Sequence, residues 1–142
     1  MATIIVGVVV FLVGQYALVL VLQPIGRVRR ILADISSAVL FQQALITNGR
    51  IDNELAKELK RMGALLRAAS AEVIFYRLWA TLGIFSVPSE KRILSGTHQL
   101  NLLFHNLSET RDANGDAHWA EKNTLLLEEL RMELGIHTTF SK

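Results

Sequence analysis

Four histidines are the side chains of this 142-residue sequence best suited to proton, metal or phosphoryl chemistry. His98 and His105 are seven residues apart, which sets them two turns from each other along one side of a helix. Metal-ligand pairs on a helix are three or four residues apart, as in His-Glu-x-x-His, so these two do not converge on one ion unaided. Glu109, four residues after His105, is the acidic residue at a spacing that suits a shared ion. Signalling bundles expose a phosphotransfer histidine on a helix. His98 instead precedes Gln99-Leu100-Asn101, without the acidic neighbour and following base of a sensor-kinase dimerisation helix. His118 and His137 flank the last helical stretch, where His137 suits the negative end of the helix dipole. Glu128, Glu129 and Glu133 lie among leucines at positions expected to face water. Gly-rich phosphate loops and Ser-His-Asp arrangements are absent, and the lack of any cysteine removes thiolate metal sites, thiol nucleophiles and disulfides. The expectation is therefore no catalytic residue, no cofactor and no metal, with a membrane-associated enzyme or phosphorelay protein using His98 or His105 as the alternative.

Charge is distributed unevenly among the elements that would carry these groups. Residues 1–26 have no charged side chain, residues 27–92 carry 11 basic and 6 acidic groups, and residues 93–142 carry 4 basic and 7 acidic groups. Nucleic-acid binders neutralise phosphates with runs of Lys and Arg. Here acids interrupt every basic run, so no nucleic-acid partner is expected.

The uncharged start is the most informative segment. From Thr3 to Leu22 nothing is more polar than Thr3, Gln15 and Tyr16. Twenty helical residues span about 30 Å, the thickness of a bilayer's hydrocarbon core. The absence of a basic start and of a small-x-small exit argues for a retained anchor over residues 1–24, not a cleaved signal. Arg27, Arg29 and Arg30 follow at once, so the positive-inside rule orients the N-terminus outward and the remaining chain, residues 25–142, toward the cytosol. At headgroup height the same three arginines would contact anionic lipid. Within the span, Thr3, Gly7, Val10, Gly14, Ala17 and Val21 fall on one narrow face, a small-residue stripe along which a membrane-protein partner or a second copy can approach closely.

Beyond the anchor the periodicity is helical throughout. Pro24 and Gly26 predict a kink or break at the bilayer exit. Val28, Ile31, Leu32, Ile35, Val39 and Ile46 form one apolar stripe, ending near Thr47 before the Asn48-Gly49 turn. Asp52 is placed to cap a second helix, whose stripe is Leu55, Leu59, Met62, Leu66, Ala69 and Val73 and whose end extends as far as Leu82. Its last part, Phe75-Tyr76-Arg77-Leu78-Trp79, is apolar on nearly every side. That suits a helix enclosed by neighbours, or an interfacial segment with Tyr76 and Trp79 at headgroup level and Arg77 snorkelling. Val87-Pro88-Ser89 opens a third helix with Pro in an early position, carrying Ile93, Leu94, Leu100, Leu103, Phe104 and Leu107. A fourth runs from about Ala117 to Leu134 with Trp119, Leu126, Leu127, Leu130 and Leu134 inward and Gly135-Ile136 as a Schellman stop. The predicted fold is all-α: one transmembrane helix followed by a roughly four-helix cytosolic bundle.

Gln23-Pro24-Ile25, Phe75-Tyr76-Arg77-Leu78-Trp79 and Pro88-Ser89 together resemble small bacterial single-span membrane proteins with a helical cytosolic domain. The resemblance implies a bacterial inner-membrane setting and carries no activity. The expected role is an interaction or scaffold module, or an accessory subunit of a membrane complex, with the bilayer and a membrane protein as partners.

Overall fold

The computed structural model describes residues 2–73, 76, 87–108 and 116–136. The chain is all-α, and no strand occurs among the described residues. It begins with α1 (Ala2–Ala17), a π-helical turn (Leu18–Leu22) and α2 (Gln23–Phe41), which follow one another without leaving helical backbone. The short α3 (Gln43–Thr47) comes next, then α4 (Asn53–Glu72), α5 (Glu90–Leu107) and α6 (Asp116–Leu134).

The break expected at Pro24 does not occur. A proline lacks the N–H that would bond four residues back, and its ring crowds that carbonyl. Here the turn before it is π-helical, with the Gln23 N–H reaching the carbonyl of Leu18, so the ladder is already displaced by one residue where Pro24 enters. Pro24 is the second residue of α2 and donates no backbone bond of its own. Ile4 to Phe41 is consequently one rod of 38 residues, about 57 Å long.

Local signals set the remaining boundaries. Gln42, with φ −103° and ψ 13°, interrupts the stripe that was expected to run unbroken to Thr47. After α3, Gly49 adopts φ 65° and forms a Schellman pair: its N–H bonds to Ile46 O at 3.1 Å, and the Arg50 N–H bonds to Leu45 O at 3.3 Å. Asp52 caps α4 by accepting from the amides of Glu54 (3.0 Å) and Leu55 (2.9 Å). That helix stops at Glu72, short of Leu82, because Val73 is extended (φ −77°, ψ 113°). Ser89, not Pro88, caps α5 by accepting from Arg92 N, so Pro88 lies just outside the helix. Gly135 ends α6 at φ 65°, with a single bond from its N–H to Arg131 O (3.0 Å), the simpler left-handed cap in place of a Schellman pair.

The stripes read from periodicity become one core, apart from Leu94, which is 43% exposed. Val28, Ile35 and Val39 of α2, Ile46 of α3, Leu55, Leu59, Met62 and Leu66 of α4, Ile93, Leu100, Leu103 and Leu107 of α5, and Leu127, Leu130 and Leu134 of α6 are all buried together. Each fully buried aliphatic side chain contributes about 1.5–3 kcal/mol. Glycines tighten two crossings: Gly63 faces Leu100 and Thr97 between α4 and α5, and Gly96 leaves no room for a side chain against Leu134 between α5 and α6.

Ties at the helix ends show the alternation of direction. Arg27 near the start of α2 pairs with Glu72 at the end of α4 (2.5 Å). The Asp52 N–H before α4 bonds to Leu107 O at the end of α5 (2.9 Å). Arg92 at the start of α5 donates to the Met132 carbonyl and lies 3.7 Å from Glu133 near the end of α6. The helices therefore run alternately up and down. The end of α4, the start of α5 and the end of α6 gather at the end of the bundle where α2 enters it.

Candidate functional site

Two features have the geometry of a functional surface: the apolar rod with its junction to the bundle, and the groove that holds the histidines. Along the rod, from Ile4 to Leu20, every side chain is exposed, including Ile4 (72%), Phe11 (63%) and Tyr16 (66%). A soluble helix buries such a face against a neighbour. Among the described residues this one has no protein neighbour until Val21, and it is long and apolar enough to cross a membrane.

The small-residue stripe is open at Gly7 and Gly14, where a side chain would meet nothing within 4 Å. Val10 and Ala17 are exposed beside them. Thr3 is helical, and its side chain lies outside the described set. Val21 departs from the stripe. The π turn rotates it, and it is partly buried against the bundle core.

At the junction Arg27, Arg29 and Arg30 are all exposed, within a turn or two of the last apolar residues. Arg27 is tied to Glu72, both side chains being at least half exposed, so the pair adds little stability and mainly marks where α4 ends. Arg29 and Arg30 make no ion pair among the described residues. Ile25, by contrast, is buried, so the bundle core begins immediately beyond Pro24.

Of the aromatic segment, Tyr76 is described, and Phe75, Arg77 and Trp79 lie outside the described residues. Tyr76 is buried, and its hydroxyl donates to the Pro88 carbonyl at 2.5 Å. Burial, and secondarily the Glu90 carboxylate, push that hydroxyl from 10.0 up to about 12. The polar tip is thus used to hold Val87-Pro88, just before α5, against the end of α4.

His98 and His105 are both exposed and line one groove of about 510 Å³ between α5 and α6. Lys122 and Glu129 line it too, and the Lys122 ammonium lies 4.8 Å from the centre of the Trp119 ring. No group of three metal-binding side chains occurs among the described residues. Glu109 and His137 lie outside them. His118 is exposed and packs edge-on to Trp119, with ring centroids 5.3 Å apart. Glu128 and Glu129 are exposed, while Glu133 lies beside Arg92.

Sequence reasoning missed a buried polar relay. The Asn106 side-chain amide donates to Asn123 Oδ1 (2.9 Å), and the Asn123 amide donates to Ile46 O (2.9 Å). Asn123 is completely buried, so the relay joins α3, α5 and α6 inside apolar surroundings. Each asparagine interrupts an otherwise regular apolar face, which was the signal available.

Comparison with family models, with curated proteins and with solved structures finds no match.

Proposed function

We propose that this chain is a single-pass, membrane-anchored helical interaction module, an accessory or scaffold subunit that holds a partner at the bilayer surface. Residues 1–24 are the anchor and residues 25–142 the cytosolic body, with the N-terminus outside a bacterial inner membrane. The observation carrying this reading is the continuity of the rod. Its first half exposes apolar side chains on every side, while its second half buries Val28, Ile35 and Val39 in the bundle. With about 57 Å of helix and a hydrocarbon core of about 30 Å, only one half fits in lipid, and Arg27, Arg29 and Arg30 follow directly on the half without charge. Because no non-helical linker separates the halves, a force or tilt at the membrane is transmitted to α2 and hence to the core.

The partners are the bilayer and a protein helix, with no nucleic acid. Alkaline carbonate washing of membranes is expected to leave the full-length chain in the pellet, and protease added to inside-out vesicles is expected to digest the helical body. Release by carbonate, or a protected body, contradicts the reading. The alternative is a membrane-associated enzyme or phosphorelay protein using His98 or His105, favoured by their sharing one groove with Lys122 and Glu129. Unchanged phenotype and phosphorylation in both His98→Ala and His105→Ala would remove it.

A further inference from the structure

We propose that a second copy of this chain docks in parallel along the exposed face of α2, with Ala33, Ser37 and Leu40 at the seam. This rests on the membrane reading above, since a shared span and orientation bring two copies of α2 side by side, pointing the same way at the same height. The three residues are all exposed, and their spacing of four and then three is that of consecutive d, a and d positions in a two-stranded coiled coil. Phe41, at the edge of the same face, is 86% exposed, although α2 already buries a full apolar stripe on its opposite side.

Charge identifies the occupant. With Ala33 and Leu40 at d, Arg29 falls at g and Asp34 at the following e, the pair of positions that meet across a parallel seam. Neither makes an ion pair among the described residues. A two-fold axis along the seam sets Arg29 of each copy against Asp34 of the other, satisfying both twice with a single chain type. Arg30, at a, marks the membrane end of the close contact, where like charges face each other at headgroup level.

The π turn supplies an independent link between this face and the span. At about 100° per residue, a regular helix would turn Ala33 roughly 100° away from Gly14. One extra residue in the ladder at Leu18–Leu22 retards the later residues by about the same angle and returns Ala33 to the side of Gly7 and Gly14. Val21, inside the turn, rotates toward the bundle as the same displacement requires. One approaching copy thus meets the open glycines within the span and the Ala33-Ser37-Leu40 face outside it.

Because the chain has no cysteine, single cysteines report the contact directly. In carbonate-washed membranes, mild oxidation is expected to convert Ser37→Cys into a dimer of twice 15.8 kDa, and to leave Glu128→Cys, on an exposed position of α6, monomeric. Adding Arg29→Asp to Ser37→Cys should abolish the dimer, and adding Asp34→Arg as well should restore it. A monomeric Ser37→Cys, equal cross-linking at both sites, cross-linking to a different protein, or a charge exchange that fails to restore the dimer overturns the proposal. Failure of the membrane reading is seen earlier and separately, as loss of the chain from the washed pellet.

Discussion

The side-chain amide of Asn106 donates to Oδ1 of Asn123 at 2.9 Å, and Asn123, with no exposed surface, passes its own amide to the carbonyl of Ile46 at 2.9 Å. That carbonyl also accepts from Gly49 N (3.1 Å) in the turn after α3. The short α3 is therefore fastened to α6 at the end of the bundle opposite the entry of α2. Asn123→Ala removes one acceptor and one donor inside the core, leaving the Asn106 amide without this partner. The expected loss is about 1–3 kcal/mol. Thermal unfolding of the full chain in nanodiscs, followed by circular dichroism, checks it, and an unchanged midpoint contradicts the relay.

Gly96 sets the approach of α5 to α6. A Cβ there would lie 2.4 Å from Cγ and Cδ2 of Leu134, a side chain 3% exposed with little room to shift. Gly96→Ala should destabilise the bundle by about 1–3 kcal/mol from overpacking, against a gain of up to about 1 kcal/mol in helix propensity. Chemical denaturation measures the net effect. A stabilised variant would mean the two helices separate easily.

The hydroxyl of Tyr76 is neutral when protonated, and its folded-state value of about 12 lies above the ordinary 10.0. Between those values the folded state retains a proton that the unfolded chain has released, so unfolding is favoured as pH rises. The contribution is complete below pH 10 and is lost as pH climbs through about 12. The tyrosinate absorbance difference between the natural chain and Tyr76→Phe should titrate near 12, and a midpoint at 10 would place the ring in water. Loss of the bond to Pro88 should cost Tyr76→Phe about 0.5–1.5 kcal/mol.

Arg27, Arg29 and Arg30 orient the chain in the proposed membrane setting. Because exposed pairs contribute little, losing the Glu72 contact in Arg27→Gln alone should change stability by no more than about 1 kcal/mol. Replacing all three with Gln and adding lysines ahead of Ile4 should invert the topology, as the bias of basic residues moves to the other flank. A reporter fused to the C-terminus, active on one side of the membrane only, reads the inversion. An unchanged orientation would show that another part of the chain sets it.

Most of the helical core was legible because burial repeats at the helical period. Leu55, Leu59, Met62, Leu66 and Ala69 are apolar for the same reason that they are buried. Asp52 and Gly49 were legible because capping and left-handed turns depend on single residue types. The uninterrupted rod was not, since Pro24 carries the local signature of a break and only the ladder displacement before it removes the clash. The end of α4 at Val73 was hidden because apolar residues continue past it without a glycine or proline to mark the change. Asn123 was missed because a polar residue on a helix ordinarily faces water, and its burial depends on a carbonyl supplied from a helix 77 residues away. For the histidines, periodicity put His98 and His105 on one side of one helix. Which helix formed the other wall of their groove was not encoded in that spacing.

The central proposal, that the uncharged half of the rod lies in lipid and its other half carries the body on the cytosolic side, is tested most directly by cysteine accessibility in native membranes. Single variants Val10→Cys and Ser70→Cys are exposed in turn to a membrane-impermeant maleimide in intact cells and in inside-out vesicles. The account predicts that Val10→Cys stays unlabelled in both preparations and that Ser70→Cys labels only in the vesicles. Labelling of Val10→Cys in membranes that remain sealed, or of Ser70→Cys in intact cells, would contradict it.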